Sequence, residues 1–580
     1  MSRILVFSPY ARIKFTTNYE MTIARACQTR GAEIKYVLCD GMLAECDMRL
    51  FTRTSVGRPF DICTSCQAEA KANLESAELS YDWLSKYVTP EEQREVFQWA
   101  QGLSPEEFPG ARFRGHPLGE WIVSSIASYF RVAEIDMEDW ETVTVSRGFL
   151  QAAAVTCIGL ERLLEEWRPD SLLILNGRWS VLRVAFNLAR QRGVRVLVYE
   201  RGNSPGAISV VENETCISAV PFEKFWSAWS NVPLSKNELD SVVTWIANRR
   251  FQNSSADIHF ASAPEGSAKF RAKLGLSPTR KLIALYSSST DEYGGETDGA
   301  YPFPSQEVWI EKVIDWASRR TDCDLVIRTH PCLSGKGVGY RSTKMIEWFQ
   351  SLKSRLPVNV KLIMPDEVLS SYDLMVAADL GLSYGSTAGI EMMALGKPIV
   401  LGSRLPPYRA VSEVLQLESE TELESVLDHA ITLKPDRKYR RAAFRYIYRF
   451  FVHMQVPFGL VSMDSAWESS LKFTTSEELA PGADEGLDRI CAFLLAGSSI
   501  YRGPDAGVPA ALSEEEDALH TKLDSNPEWF QLKQPSIVDL PTRIKGAVIR
   551  FARPSYRILK RIANPMVRRF KRLDERMEVS

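Results

Sequence analysis

Twice along this chain, short apolar runs rich in Val, Ile and Leu alternate with stretches of helical spacing, and that alternation leaves few folds open. In the N-terminal half, Arg3 to Ser8 reads as a strand, Asn18 to Arg30 as a helix closed by Gly31, and Glu33 to Cys39 as the next strand. From about residue 74 to 165 the pattern turns mainly helical and rich in Trp, Glu and Arg, as an insertion over a sheet would. Alternation resumes with the strand Ser171 to Leu175, a helix from Val181 to Arg192, Gly193, and the strand Arg195 to Tyr199. A second unit starts near Lys281. It has strands at Leu282 to Tyr286 and Asp324 to Arg328 around a helix from Ser305 to Arg319. Val360 to Met364, Leu374 to Ala377, Leu380 to Ser383 and Pro398 to Leu401 follow as further strands. Strand, helix, strand repeats build parallel sheets whose ligand loops lie at the C-terminal strand ends.

The expected fold class is therefore α/β, with two Rossmann-like domains. Residues 1–215 form the first, carrying the helical insertion at about 74–165, and 276–415 form the second. A helical connector is expected over 216–275, C-terminal helices over 416–500, and a linker with a basic helical tail over 501–580. A length of 580 residues suits two or three domains with their own cores. The net charge of -3 gives no global sign of a polyanionic partner. The N-terminus lacks the apolar run and cleavage site of a signal peptide, and no uninterrupted apolar run has membrane-span length, so a cytoplasmic protein is expected. Ten scattered cysteines in such a chain read as reduced thiols.

The segment from Ser383 to Gly402 carries the most chemistry. It reads as a Ser/Gly/Thr turn (Ser383, Gly385, Ser386, Thr387), an amphipathic helical stretch containing Glu391, and a Gly-Lys-Pro break into a buried strand. Such a turn can offer backbone N–H groups to a diphosphate, and an acidic residue farther on can accept from ribose hydroxyls. Alternatively these glycines and serines only make turns. Arg328-Thr329-His330-Pro331 closes a strand, which aims Arg328 and His330 at the cleft. There the imidazole could donate to a phosphate or, as imidazolium, offset leaving-group charge. A histidine that merely caps the strand is the other reading.

Together, the His-Pro strand end and the Gly-Ser-Thr helix with its Glu resemble GT-B-type glycosyltransferases, their relatives the sugar-nucleotide 2-epimerases, and above all bacterial capsule and surface-polysaccharide glycosyltransferases. Tyr199-Glu200-Arg201-Gly202, then Ile208 and Glu212, is similar to the Glu-x-Gly motif of capsule transferases that handle 3-deoxy-manno-octulosonic acid. Those enzymes commonly carry Arg-Pro next, where this chain has Asn203-Ser204-Pro205-Gly206. The resemblance implies a GT-B-like arrangement and transfer of a sugar, hexosyl or 3-deoxy-octulosonic acid, from a nucleotide-activated donor to a surface glycan or glycolipid acceptor. Arg328, His330, Ser383, Gly385, Ser386, Thr387 and Glu391 would hold the donor, and no cofactor would be required. A sugar-nucleotide 2-epimerase and a non-catalytic assembly scaffold are the rival readings.

Acceptor-side candidates come from the N-terminal strand ends. Glu200 could act as general base on an acceptor hydroxyl, or pair only with Arg201 or Arg178. Asn176, Arg178 and Tyr10, in loops expected to face the cleft, are acceptor-binding candidates. Asp291, Glu292, Glu296 and Asp298 form an acidic loop able to bind a cation or an acceptor, or simply solvated. Cys39, Cys46, Cys63 and Cys66 supply four thiols, one pair at zinc-knuckle spacing, for a structural zinc, although the first pair is widely spaced. Finally, the tail from Thr542 to Arg576 interleaves twelve Arg and Lys residues with apolar ones, cut by Pro554 and Pro565. That pattern suits peripheral binding to an anionic inner-membrane surface, or docking on a partner. No nucleic-acid-binding motif accompanies it.

Overall fold

In a computed structural model, the described residues are 1–49, 62–132, 134–204, 206–251, 266–289, 291, 294, 302–335, 343–464, 468–504, 510–525 and 529–530. The first domain begins with β1 (Arg3–Ser8), α1 (Lys14–Thr29), β2 (Glu33–Leu38) and β3 (Tyr81–Trp83). An insertion follows, ending in α2 (Val123–Phe130) and α3 (Trp140–Trp167), and then β4 (Ser171–Leu175), α4 (Ser180–Gln191), β5 (Arg195–Arg201) and β6 (Ala207–Glu212). The connector includes α5 (Lys236–Phe251). The second domain runs through β7 (Lys281–Tyr286), α6 (Gln306–Ser318), β8 (Cys323–Arg328), β9 (Val360–Ile363), α7 (Ser371–Ala377), β10 (Leu380–Ser383), α8 (Ala388–Met393) and β11 (Ile399–Leu401). Then come α9 (Arg437–Tyr448), β12 (Val456–Pro457) and α10 (Glu485–Ala496).

The two sheets share one topology. The first has the order β12-β6-β5-β4-β1-β2-β3 and the second β11-β10-β7-β8-β9. Counted from each domain's own first strand, the five parallel strands run 3-2-1-4-5 in both, so both domains are Rossmann-like. In such a sheet the order reverses between strands 1 and 4, and the crevice opens there, between β1 and β4 in one domain and β7 and β10 in the other. Strand alternation sets the layers. Leu282, Ala284 and Tyr286 of β7 face one core while Ile283 and Leu285 face another on the opposite side. Helix ends follow local chemistry: α6 starts where Ser305 accepts from the Val308 amide, and α10 ends at Gly497, whose φ of 75° is left-handed.

The structure departs from the sequence pattern in four places. Residues 374–377 belong to a helix, α7, not a strand; Ser370 accepts from the Asp373 amide and starts it, so a short apolar run that reads as β is a capped turn of helix. The stretch around Glu391 is helical for only six residues, all buried, and is not amphipathic. After β11 the chain returns to the first domain: β12 pairs antiparallel with β6, and α10 buries Leu487, Ile490 and Leu494 in the first core. A helix at Ala510–Ser525 occupies part of the expected linker, because its Glu516, Asp517 and Asp524 face Arg437, Arg440, Arg441 and Arg445. The basic tail, Thr542 to Arg576, lies outside the described residues, as do Glu292, Glu296 and Asp298. Among the described residues one helix, α3, is long and apolar enough to cross a membrane, but 72% of its most apolar window is buried in the protein.

Candidate functional site

At the crevice of the second sheet, β10 ends in Ser383 and β7 in the loop starting at Ser287. Ser383 does not reach outward. Its hydroxyl donates to the Ser386 carbonyl, and its oxygen accepts the Ser386 amide at 3.1 Å. The buried Tyr408 hydroxyl stands 3.0 Å from Ser383 Oγ and 2.7 Å from the same carbonyl. Gly389 makes room for it, since a Cβ there would lie 2.6 Å from the Tyr408 hydroxyl. Ser386 Oγ accepts the Ala388 amide, and the Gly389 amide bonds back to Ser386. Three amides of the turn are thus used internally, so the cationic and hydroxyl side chains around it have to supply most of the contacts to an anion.

Those side chains are at hand. Arg249, on the connector helix α5, donates from Nε to Glu391 Oε1 at 3.1 Å and from Nη2 to Thr387 Oγ1 at 3.2 Å. Sequence reasoning missed Arg249, because nothing in the connector's pattern marks a residue that reaches another domain's turn. Glu391 is 2% exposed and also acts on the buried Tyr372 hydroxyl, while its second carboxylate oxygen lacks a partner of good hydrogen-bond geometry. Ser288 Oγ, 4% exposed and 3.3 Å from where a Gly385 Cβ would stand, also has none. An unmatched buried oxygen costs about 1–3 kcal/mol, and two of those in the described residues stand at this crevice.

His330 lies two residues past β8 and starts a short 3-10 turn, Pro331–Ser334. Its backbone amide donates to Ser287 Oγ at 2.8 Å, tying it to the same loop as Ser288. Nδ1 accepts the Cys332 amide at 3.3 Å, which leaves the ring proton on Nε2. Burial lowers its pKa from 6.5 to about 4, opposed by the charge of Asp291 and assisted by those of Arg328, Arg131 and Arg249. The ring is therefore a neutral donor at physiological pH, not the imidazolium the sequence allowed. Arg328 is turned inward: it donates to the Met364 carbonyl at 2.8 Å and to Ser371 Oγ, joining the end of β9 to α7. Burial brings its pKa down only to about 10, so it stays charged and acts as a positioning residue.

Around the crevice of the first sheet, Tyr10 donates to Asp47 Oδ2 at 2.6 Å, Ser125 donates to Oδ1, and Ser180 Oγ lies 3.5 Å from Oδ2. Asp47 is the organising residue here, and nothing in the sequence sets it apart from the neighbouring Asp40 and Glu45. Burial raises its pKa, against the hydrogen bonds and the charge of Arg178. Asn176 has a left-handed φ of 34° and accepts the Arg178 and Trp179 amides, so its side chain shapes the turn. Arg178 donates to Ser124 and Ser128 of α2 and holds the insertion on the sheet. Glu200 is half-buried at the end of β5, accepting the Arg201 amide at 2.9 Å. Burial raises its pKa, opposed by that bond and by Arg201 and Arg178, which suits a carboxylate that has to take a proton. The loop after it is held by the returning C-terminal segment: the Asn203 amide donates to Gln455, Ser204 to the Phe451 carbonyl, and the Phe458 amide to the Gly206 carbonyl. Glu212 faces elsewhere, binding Ser499 and the Ile500 amide.

The four N-terminal cysteines do not bring three ligand atoms within 4.8 Å of one another, although the thiols of Cys39, Cys46 and Cys66 lie near enough to act on each other. Among the described residues, the three ligand types lying within 4.8 Å of one another are His116, Cys157 and Glu161. There His116 Nε2 is 2.9 Å from Glu161, which also faces Arg192 at 3.7 Å, an ion-pair arrangement. Cys39 and Cys46 follow β2 while Cys63 and Cys66 open a helix, and burial raises the thiols of Cys39 (to about 12), Cys46 and Cys66. A separate concavity of about 990 Å³ between Glu223 and Arg445 is lined by arginines already paired, Arg404 with Glu418, Arg409 with Glu223 and Arg445 with Glu516.

No family model and no curated protein matches the chain. Among solved structures, it is similar to KpsC, a beta Kdo 2,4 transferase of Thermosulfurimonas dismutans, at 14% identity and a TM-score of 0.32, over 48% of this chain and 79% of that one. The spinosyn rhamnosyltransferase SpnG is similar at 12% identity and a TM-score of 0.24, over 77% of this chain and 96% of that one. A putative UDP-N-acetylglucosamine 2-epimerase from Listeria monocytogenes is similar at 10% identity and a TM-score of 0.27, over 88% and 99%. The two-domain Rossmann-like architecture rests on the strand orders and registers themselves.

Proposed function

We propose that this chain is a glycosyltransferase that moves a sugar from a nucleotide-activated donor to a surface glycan or glycolipid acceptor. The observation that carries the donor side is Glu391, a buried carboxylate fixed by Arg249 through one oxygen and unmatched at the other, beside the turn of the crevice. A ribose hydroxyl would complete it. Ser288, Arg249 and the Nε2 proton of His330 would then face the phosphates, stabilising the charge that develops as the glycosidic C–O bond to phosphate breaks. On the acceptor side, Glu200 would take the hydroxyl proton as that oxygen bonds to the anomeric carbon. The surface-polysaccharide role rests on the Glu200-Arg201-Gly202 and His330-Pro331 motifs.

Calorimetry with UDP, CDP and CMP tests the site. Glu391→Gln should weaken binding about tenfold, since a neutral amide is a poorer acceptor for a hydroxyl and no longer pairs with Arg249. Equal affinities for wild type and variant with every nucleotide would remove the assignment. Incubation with a panel of nucleotide sugars then separates chemistries: a transferase releases nucleotide, an epimerase changes the sugar, and a scaffold does neither.

A further inference from the structure

The loop that carries Ser288 leads to Asp291, 2% exposed and with both oxygens engaged. Ser289 donates to Oδ1, and Arg131 Nη1 donates to Oδ2 at 2.9 Å. Arg131 comes from the other domain. It ends helix α2 in a left-handed conformation, φ 56°, with its amide bonded to the Ala127 carbonyl. The domains touch closely here: a Cβ on Gly294 would stand 2.4 Å from that of Ala127, and Lys344 pairs with Asp136 of the insertion at 3.0 Å.

This ion pair stands at the donor crevice. Asp291 lies two residues beyond Ser289 in the same loop whose Ser287 holds the His330 amide and whose Ser288 stands against Gly385. Arg249 reaches the Thr387 end of that turn. The crevice therefore brings two guanidinium groups, Arg131 and Arg249, each paired with a buried carboxylate, Asp291 and Glu391, to the two ends of the turn. Beside its burial, Asp291 and the three arginines Arg131, Arg249 and Arg328 act on the His330 ring, Asp291 raising its proton affinity and the arginines lowering it.

We propose that Arg131 is a phosphate-binding residue supplied by the acceptor-side domain, held on Asp291 until a donor phosphate takes that carboxylate's place. This rests on the nucleotide-sugar reading above. The exchange is chemically even-handed: the guanidinium fork that pairs with a carboxylate pairs equally with two phosphate oxygens. A phosphate carries more negative charge than Asp291 and also engages Arg249, so it outcompetes the carboxylate. The released Asp291 keeps its bond from Ser289. Donor binding and the contact between the domains are then one event, with the donor completing its own site from the domain that presents the acceptor.

Calorimetry on the full chain with inorganic pyrophosphate, UDP and uridine tests this, using wild type, Arg131→Gln, Arg131→Lys and Asp291→Asn. Arg131→Gln should weaken pyrophosphate and UDP about tenfold or more and leave uridine unchanged, with Arg131→Lys between, having the charge without the fork. Asp291→Asn removes the competitor and should tighten pyrophosphate and UDP several-fold, whereas a purely structural ion pair would make both variants bind more weakly. Wild-type affinity for pyrophosphate and UDP in Arg131→Gln, or weaker binding in Asp291→Asn, overturns the proposal. Pyrophosphate binding that depends on Arg131 while no nucleotide binds would uphold it and overturn the nucleotide reading instead. No binding of either ligand by the wild type overturns both.

Discussion

Glu20 should make the stability of the first domain fall as pH rises from about 4.5 to 7, and Glu20→Gln should abolish that fall. The side chain sits on α1 inside the core, 2% exposed. Oε1 accepts the Tyr199 hydroxyl at 2.7 Å, while Oε2 and the Tyr36 hydroxyl have no hydrogen-bond partner. Burial raises the carboxyl pKa from 4.5 to about 7, against the bonds from Ser8 and Tyr199. The folded state therefore holds a proton that the unfolded state has lost between those values, so unfolding releases it and becomes easier as pH rises. The stability gained from that proton is complete below 4.5 and gone above 7. A difference of about 2.5 units at 1.36 kcal/mol each makes the loss about 3 kcal/mol. Gln keeps a carbonyl for Tyr199, offers an N–H to Tyr36, and does not titrate. Urea unfolding of both proteins at a series of pH values reads the difference: similar stability near pH 4.5, and a variant more stable by up to about 3 kcal/mol at pH 8. Other titrating groups, Glu200 among them, are common to both proteins and cancel. Parallel curves would refute the reasoning and show that Glu20 is ionised in the folded protein.

Gly389→Ala should leave the fold intact but weaken UDP binding by about tenfold, because its methyl meets the Tyr408 hydroxyl that braces the turn; calorimetry and melting temperature together check both halves. His330 should leave no inflection near its ordinary 6.5 in the pH profile of turnover, since it is neutral down to about 4, and His330→Ala should lower kcat more than it raises the donor Kd. An inflection near 6.5 that disappears in His330→Ala would show the ring to be the titrating group after all. Truncation after Leu540 removes the basic tail and should abolish sedimentation with anionic vesicles while sparing activity on a soluble acceptor; binding that survives truncation would place any membrane contact elsewhere.

Much of the second sheet was legible because buried parallel strands are short apolar runs and nothing else competes for that pattern: Leu282 to Tyr286 and Leu380 to Ser383 lie within or coincide with the observed β7 and β10. The pattern misled where length decides, as at 374–377, since four apolar residues serve a strand and a capped helical turn equally well. Strand β12 went unread because it is two residues long and pairs across some 250 residues of sequence, Val456 with Ile208. Within the crevice the sequence pointed to Ser383, Gly385, Ser386, Thr387, His330 and Glu391, which do come together. It did not point to Arg249 or Arg131, because a contact made by a long cation from another domain has no local signature. Nor could it show that Arg328 and Asn176 spend their polar atoms on backbone groups; both types are expected at ligand loops, and burial alone decides between the roles.

The place of the chain's second crossing also bears on how such a site works. The polypeptide passes from the first domain to the second beyond β6 and returns through residues 449–455, where a π-helical turn leads from α9 into β12. Arg449 locks the return against the outgoing segment: it is buried, stacks 4.4 Å over Trp229, and bonds to Glu238 and His453. The returning strand then grips the loop just after Glu200 through Gln455, Phe451 and Phe458. Glu200 is thus anchored where the chain returns to the first domain, whereas Arg131 and Asp291 pair across the contact between the domains, beside the Lys344–Asp136 pair and the close approach of Gly294 to Ala127.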